Sequence, residues 1–177
     1  MAIRDIIKLG NPKLLEKSID VEIGDNALIQ LLLEDLADTA RAFNRQYGWG
    51  RAISAIQIGV AKRVIYIDAP EQMLLINPQV VNPSKAMITI WDDCMSFPDL
   101  LVKVKRHQYF SLRYLDKNWQ QQERLIDGEL SELLQHELDH LDGIVATMRA
   151  IDGSQIALQS EKQHLDPSLF ANKVSNH

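Results

Sequence analysis

The apolar positions along the chain change period as they run from one end to the other. In "NPKLLEKS", Asn11 is placed to cap a short helix with Pro12 at its first position. Further on, Leu28, Leu31, Leu32, Leu36 and Ala40 recur at helical spacing in "NALIQLLLEDLADTARAFNRQYG". That pattern predicts a long amphipathic helix capped by Asp25 and stopped at Gly48. The period then shortens. "RVIYID" is a β-branched and aromatic run, "MLLINP" reads as a strand that stops at its proline, and "AMITIWDD" alternates. "QYFSLRYLDKNWQQQERLI" predicts a hairpin turning at Asp116-Lys117-Asn118. The helical period returns in "GELSELLQHELDHLD", with Asp127 as its cap and Gly143 at its end. The last stretch, "SQIALQSEKQHLDPSLFANKVSNH", is more polar and predicts a partly helical segment up to Asp166-Pro167 with loose final residues. Helices, then strands, then one helix and a tail predict an α+β fold: antiparallel β-sheets packed around a central helix, with N-terminal helices. The expected division is a domain over 1–152 and a C-terminal tail over 153–177.

Composition narrows the classes. The chain has 177 residues, 46% hydrophobic and 24% charged, which fits one globular domain. A net charge of −5 argues against a general nucleic-acid binder. A single cysteine excludes a disulfide scaffold and suits a reducing compartment. The apolar run at the N-terminus is broken by Lys8, Gly10 and Pro12, so neither a signal peptide nor a membrane span is expected, and the expected location is the cytoplasm.

The candidate chemistry lies in the second helical segment. His136-Glu137-Leu138-Asp139-His140 is a His-Glu-x-x-His pattern. Residues i and i+4 of a helix lie about 40° apart, so His136 and His140 can reach one ion. Glu137 is turned about 100° from His136; it is placed to reach a water beside the ion and act as general base. Leu130, Leu133, Leu134, Leu138 and Leu141 pack this helix inside the protein, and buried histidines need partners. A third ligand is required. Glu161 lies 21 residues after His140, but its setting, "QSEKQH", reads most simply as a solvated charge. Cys94 lies in "WDDCMS", beside Asp92 and Asp93. Two carboxylates would hold a thiol protonated, whereas a divalent cation outweighs them.

Three separated motifs give the chain a resemblance to the peptide deformylase family. They are Gly50-Arg51-Ala52-Ile53-Ser54-Ala55-Ile56-Gln57, then Asp92-Asp93-Cys94-Met95-Ser96 followed by Pro98, then Gln135-His136-Glu137-Leu138-Asp139-His140 followed by Leu141 and Gly143. The segment "IIKLGNPKLL", the triplet Ile76-Asn77-Pro78 and Arg106 agree with it. The likeness runs over roughly residues 4–150. It implies removal of the N-formyl group from nascent peptides as formate. By resemblance, Cys94, His136 and His140 hold one divalent ion, Fe2+ in the first place and Zn2+ or Ni2+ as substitutes. Glu137 moves the proton, and Gln57 and the backbone N–H of Met95 meet the oxyanion. The implied partners are N-formylated nascent peptides and the ribosome, without nucleic-acid contact or membrane.

The departures from the family pattern cluster. Ala52 stands where the family has its second Gly, Ser54 where it has Ala, Asp92 where it has Glu and Asp93 where it has Gly. Asp92 is expected to pair with Arg106. Glu129 and Glu132 precede His136 by seven and four residues and share its face, together with Leu133 nearby. In the family this face lines an apolar pocket for methionine, and Arg51 falls where an apolar residue is usual. The substrate region is therefore expected to include Gly50, Arg51, Ala52, Asp93, Glu129, Glu132 and Leu133, with either a polar pocket or an Arg51–Glu132 pair that closes it. The alternative functions are a metal-binding relative without deformylase activity and a zinc endopeptidase using Glu161.

Overall fold

The structure, a computed structural model, describes residues 2–68 and 71–170. Two helices and eight strands make up its regular frame among these residues. Helix α1 spans Asn26–Tyr47 and ends where Gly48, at φ 73°, donates its N–H to the Asn44 carbonyl. Strands β1 (Ala52–Ser54), β2 (Val64–Ile67), β3 (Met73–Val81), β4 (Met87–Asp93), β5 (Leu100–His107), β6 (Tyr109–Leu115) and β7 (Gln121–Asp127) follow. Helix α2 spans Gly128–Leu141, and β8 (Ile156–Leu158) comes last. One sheet has the order β1-β2-β3-β6-β7 and the other β4-β5-β8, with antiparallel pairing throughout. Helix α2 touches β1, β2, β6 and β7 of the first sheet and β5 of the second. The expected α+β architecture around a central helix is the one observed.

The first sheet is covered on both faces, which explains its nearly continuous apolar strands. Val64, Tyr66, Leu74 and Ile76 pack with Ile29, Leu32, Leu36, Ala40 and Phe43 of α1. The intervening Ile65, Ile67 and Leu75 pack with Leu134, Leu138 and Leu141 of α2. Alternation along each strand thus feeds two cores instead of one core and solvent. A third cluster joins Ile90, Cys94, Val102 and Val104 of the second sheet region to Leu14, Val145 and Ala146.

Several local expectations change. The buried stripe of α1 is Ile29, Leu32, Leu36, Ala40 and Phe43, while Leu31 is 48% exposed and Leu28 only partly buried. Asp25 and Asp127 occupy N-cap positions, but neither side chain caps its helix. The Asp25 carboxylate instead accepts from the Glu22 N–H at 3.3 Å and from Lys62 at 3.1 Å. The first short helix is a single 3-10 turn, Pro12–Leu15, with Asn11 accepting from the Lys13 N–H. β3 does not stop at Pro78. Its register shifts between Ile76 and Gln79, so the missing proline N–H falls at an irregularity and the ladder resumes beyond it. Asn77 at the shift has φ 50° and exchanges two hydrogen bonds with the Val21 backbone. The polar C-terminal stretch begins with a strand, since β8 pairs with β5, and then forms 3-10 turns at Gln159–His164 and Pro167–Leu169. The expectation of loose final residues, 171–177, lies outside the described residues.

Candidate metal centre and active site

Helix α2 carries the two histidines into the interior. Its apolar side packs on the first sheet, which leaves His136 and His140, 5% and 1% exposed, facing Cys94 at the end of β4. His140 Nε2 lies 3.2 Å from Cys94 Sγ and 3.1 Å from His136 Nε2. The ligand atoms of the three residues all fall within 4.8 Å of one another. On its far side His136 presents Nδ1 to the Asp92 carboxylate at 3.0 Å. That contact fixes the ring, places the proton on Nδ1 and leaves the Nε2 lone pair turned toward His140.

This arrangement fits a cation. Two imidazole Nε2 atoms at 3.1 Å and the Cys94 sulfur bring three metal-ligating atoms together in the interior. Burial opposes charge on His136, but Asp92 and Cys94 outweigh it and push its pKa well up. His140 moves the other way, driven down by burial and by His136. A divalent ion satisfies all three donors at once.

Asp92 is tied down from behind. Arg106 donates from Nη2 to Asp92 Oδ2 at 2.9 Å and from Nη1 to Asp139 Oδ2 at 2.5 Å. Asp139 also takes two hydrogen bonds from Arg149, at 2.8 and 3.2 Å. Burial works against the Asp92 charge, yet His136 and Arg106 hold its pKa down to about 2. The expected Asp92–Arg106 pair is therefore present. The Arg149 contact has no expectation behind it, because "MR" after the histidine motif carries no pattern of its own.

Glu137 is 3% exposed, on the side of α2 toward β1. Ser54 Oγ lies 2.5 Å from Glu137 Oε2 and 3.0 Å from its backbone carbonyl. Burial raises the Glu137 pKa, while His136 and the Ser54 hydroxyl moderate the rise. Gln57 is 1% exposed. Its carbonyl oxygen accepts from the Ser54 N–H at 2.9 Å, so its amide NH₂ points the other way, to Ser96 Oγ at 3.3 Å and Cys94 Sγ at 3.7 Å. Ser96 in turn donates its N–H to Cys94 Sγ at 3.4 Å. Ser54 is thus a contact of both Glu137 and Gln57, which sequence reasoning registered only as a departure from a family pattern.

The residues expected around the substrate separate into two groups. Gly50 has φ 105°, and a Cβ there would lie 2.7 Å from Met95 Cε and 2.9 Å from Phe43, so glycine is required both for its backbone and for the approach of Met95. Ala52 is buried in the cluster behind α2, and Leu133 packs at its edge. Arg51, Glu129 and Glu132 come together as an ion triad. Arg51 Nη1 donates to Glu129 at 3.0 Å and Nη2 to Glu132 at 2.8 Å. Glu132 is 6% exposed; burial and Asp92 raise its pKa to about 7 although Arg51 opposes them. Asp93, partly buried, follows Asp92 at the end of β4. Glu161 is 57% exposed in the 3-10 turn Gln159–His164, where its carboxylate lies 3.8 Å from His164. It is not among the clustered metal donors, so the solvated reading of that residue holds and the endopeptidase alternative loses its third ligand.

Comparison with known proteins agrees with this geometry. The polypeptide deformylase family profile matches residues 3–156. A peptide deformylase 1 of Prochlorococcus marinus is 33% identical, over 91% of this chain and 88% of its own length. A peptide deformylase of Caldanaerobacter subterraneus is 37% identical, over 85% of this chain and 91% of its own. Among solved structures, a peptide deformylase from Legionella pneumophila superposes with a TM-score of 0.77 at 29% identity, covering 87% of this chain and 89% of that one. One from Synechococcus elongatus in complex with actinonin gives 0.78 at 27% identity, covering 86% and 81%. The chain belongs to the polypeptide deformylase family and is, like its members, a hydrolase.

Proposed function

We propose that this chain hydrolyses the N-formyl group of nascent peptides to release formate, and that Cys94, His136 and His140 hold the divalent ion it needs, Fe2+ first with Zn2+ or Ni2+ able to substitute. The observation that carries this is the convergence of three buried donor atoms within 4.8 Å, with Gln57 hydrogen-bonded to Cys94 and joined to Glu137 through Ser54. When bound, the ion supplies an acidified water and polarises the formyl carbonyl.

The remaining work belongs to the chain's own side chains. Glu137 takes the proton from the attacking water at a carboxylate oxygen and passes it to the departing amine. Its burial favours the protonated form after the first transfer, and the Ser54 contact at 2.5 Å holds one carboxylate oxygen and leaves the other for the proton. The Gln57 NH₂, aimed by the Ser54 N–H on its carbonyl, donates to the developing oxyanion, and the Met95 N–H is the second donor. Asp92 and Arg106 keep His136 in one orientation.

The setting is the cytoplasm, with substrate met at or near the ribosome. No helix among the described residues is long and apolar enough to cross a membrane. The test is formate release from N-formyl peptides by the iron-loaded chain, before and after a chelator. Release that stops on chelation and returns with Fe2+ is the expected result. A metal-loaded, folded chain that releases no formate from any formylated peptide contradicts the proposal.

A further inference from the structure

The donors of the metal centre are closed off on one side and approachable on the other. Cys94, Gln57, Ser96 and His140 are each 2% exposed or less. Along α2 toward its N-terminus, access increases from His136 at 5% and Glu132 at 6% to a Glu129 side chain at 32%, with the Arg51 side chain at 24%. One helical turn is about 5.4 Å. A side chain attached next to a formyl group at the donors would therefore reach Glu132 and its partners first.

That wall is an ion triad. One guanidinium bridges two carboxyl groups, at 3.0 and 2.8 Å, and the outer one, Glu129, keeps part of its side chain in solvent. An apolar side chain laid on it would strip water from Arg51 and Glu129 and return no hydrogen bond, a net cost. A cationic head group on a long stem would pair with the outer carboxylate, Glu129.

We propose that Arg51, Glu129 and Glu132 determine specificity, selecting N-formyl peptides whose first side chain ends in a cation, lysine-like in length, over formyl-methionyl peptides. This rests on the deformylase reading above and concerns the side chain alone.

The test compares kcat/KM of the iron-loaded full chain for tripeptides led by formyl-Lys, formyl-norleucine and formyl-Met, read as formate release. The wild type is expected to favour formyl-Lys over both others by about tenfold or more, as sites built around hydrogen-bonding groups reject partners that cannot bond. A triple variant, Arg51→Leu with Glu129→Leu and Glu132→Leu, removes every charge together and strands none; it is expected to reverse the order. If that variant does not fold, Glu129→Gln alone, at the exposed end, is expected to narrow the lysine preference. Equal or faster turnover of formyl-Met by the wild type overturns this inference and leaves the deformylase reading standing. A triple variant that folds and keeps the wild-type order overturns it as well. No formate from any of the three peptides overturns both.

Discussion

At the scale of single residues, the centre depends on which atom faces which. His136 is held by Asp92 on Nδ1, so only Nε2 is offered to an ion, and Cys94 supplies the sulfur. Cys94→Ala is expected to lose bound metal, measured as ions per chain, whereas Glu161→Gln should retain the full complement, since Glu161 stands apart with His164. Retention by the first and loss by the second would reverse the ligand assignment. Ser54→Ala removes one hydrogen bond to Glu137 without touching a metal donor. A fall of about tenfold or more in kcat with KM little changed is expected, about 1.5–3 kcal/mol for a hydrogen bond to a charged group. These residues were legible to different degrees. His136, Glu137, His140 and Cys94 stand out by type and spacing alone. Ser54 did not, because a serine in an apolar strand has no signal until the strand is laid against α2 and its hydroxyl meets Glu137. Arg149 was hidden for the same reason: its partner, Asp139, lies ten residues earlier.

At the scale of elements, the site is assembled by segments far apart in sequence. Ile7 donates its N–H to the Gln57 carbonyl, Leu9 to the Ser96 carbonyl, and Lys8 Nζ to the Met95 carbonyl. The N-terminal segment thus clips together the two segments that carry Gln57 and Met95. The end of α2 is equally close-fitted. Gly143 has φ 72°, and a Cβ there would lie 2.5 Å from the Leu15 carbonyl oxygen, so Gly143→Ala is expected to destabilise the fold by about 1–3 kcal/mol, read by denaturant unfolding. A variant as stable as wild type would show that the Leu15 turn can move aside freely. The element types were largely legible: both long helices and the hairpin follow from period and turn residues. The phase of α1 was not. Leu28 and Leu31 fall in the expected stripe, yet Ile29 is the buried residue, because the face is chosen by Val64, Tyr66 and Ile76 across the interface. β1, β5 and β8 have no counterpart among the expected elements: β1 and β8 are three residues each and fixed only by their partners, and in β5 the buried Leu101, Val102 and Val104 alternate with Lys103 and Lys105 in a way that becomes a strand only against β4. The passage of β3 through Pro78 depends on Asn77 bonding Val21, a contact 56 residues distant.

At the scale of the whole molecule, a sheet with helices on both faces buries charge beside the metal donors, and this has a pH signature. The Glu132 pKa, raised to about 7, lies above its unfolded value, so the folded state binds the extra proton between those two values. Its contribution to stability is complete below the unfolded pKa and is lost as pH rises through about 7. Glu132→Gln cannot ionise, so the melting temperature of wild type minus that of the variant should fall from pH 5 to pH 8; a difference that rises would contradict the placement of Glu132. The proton transfer assigned to Glu137, at a centre held by Cys94, His136 and His140, can be separated from metal binding. Glu137→Gln is loaded with iron to one ion per chain and its formate release from a formyl peptide is compared with that of the wild type at equal metal content. The variant is expected to keep full metal occupancy and to turn over about a hundredfold or more slowly, as for loss of a general base. Formate release at the wild-type rate by the fully loaded variant would contradict the assignment.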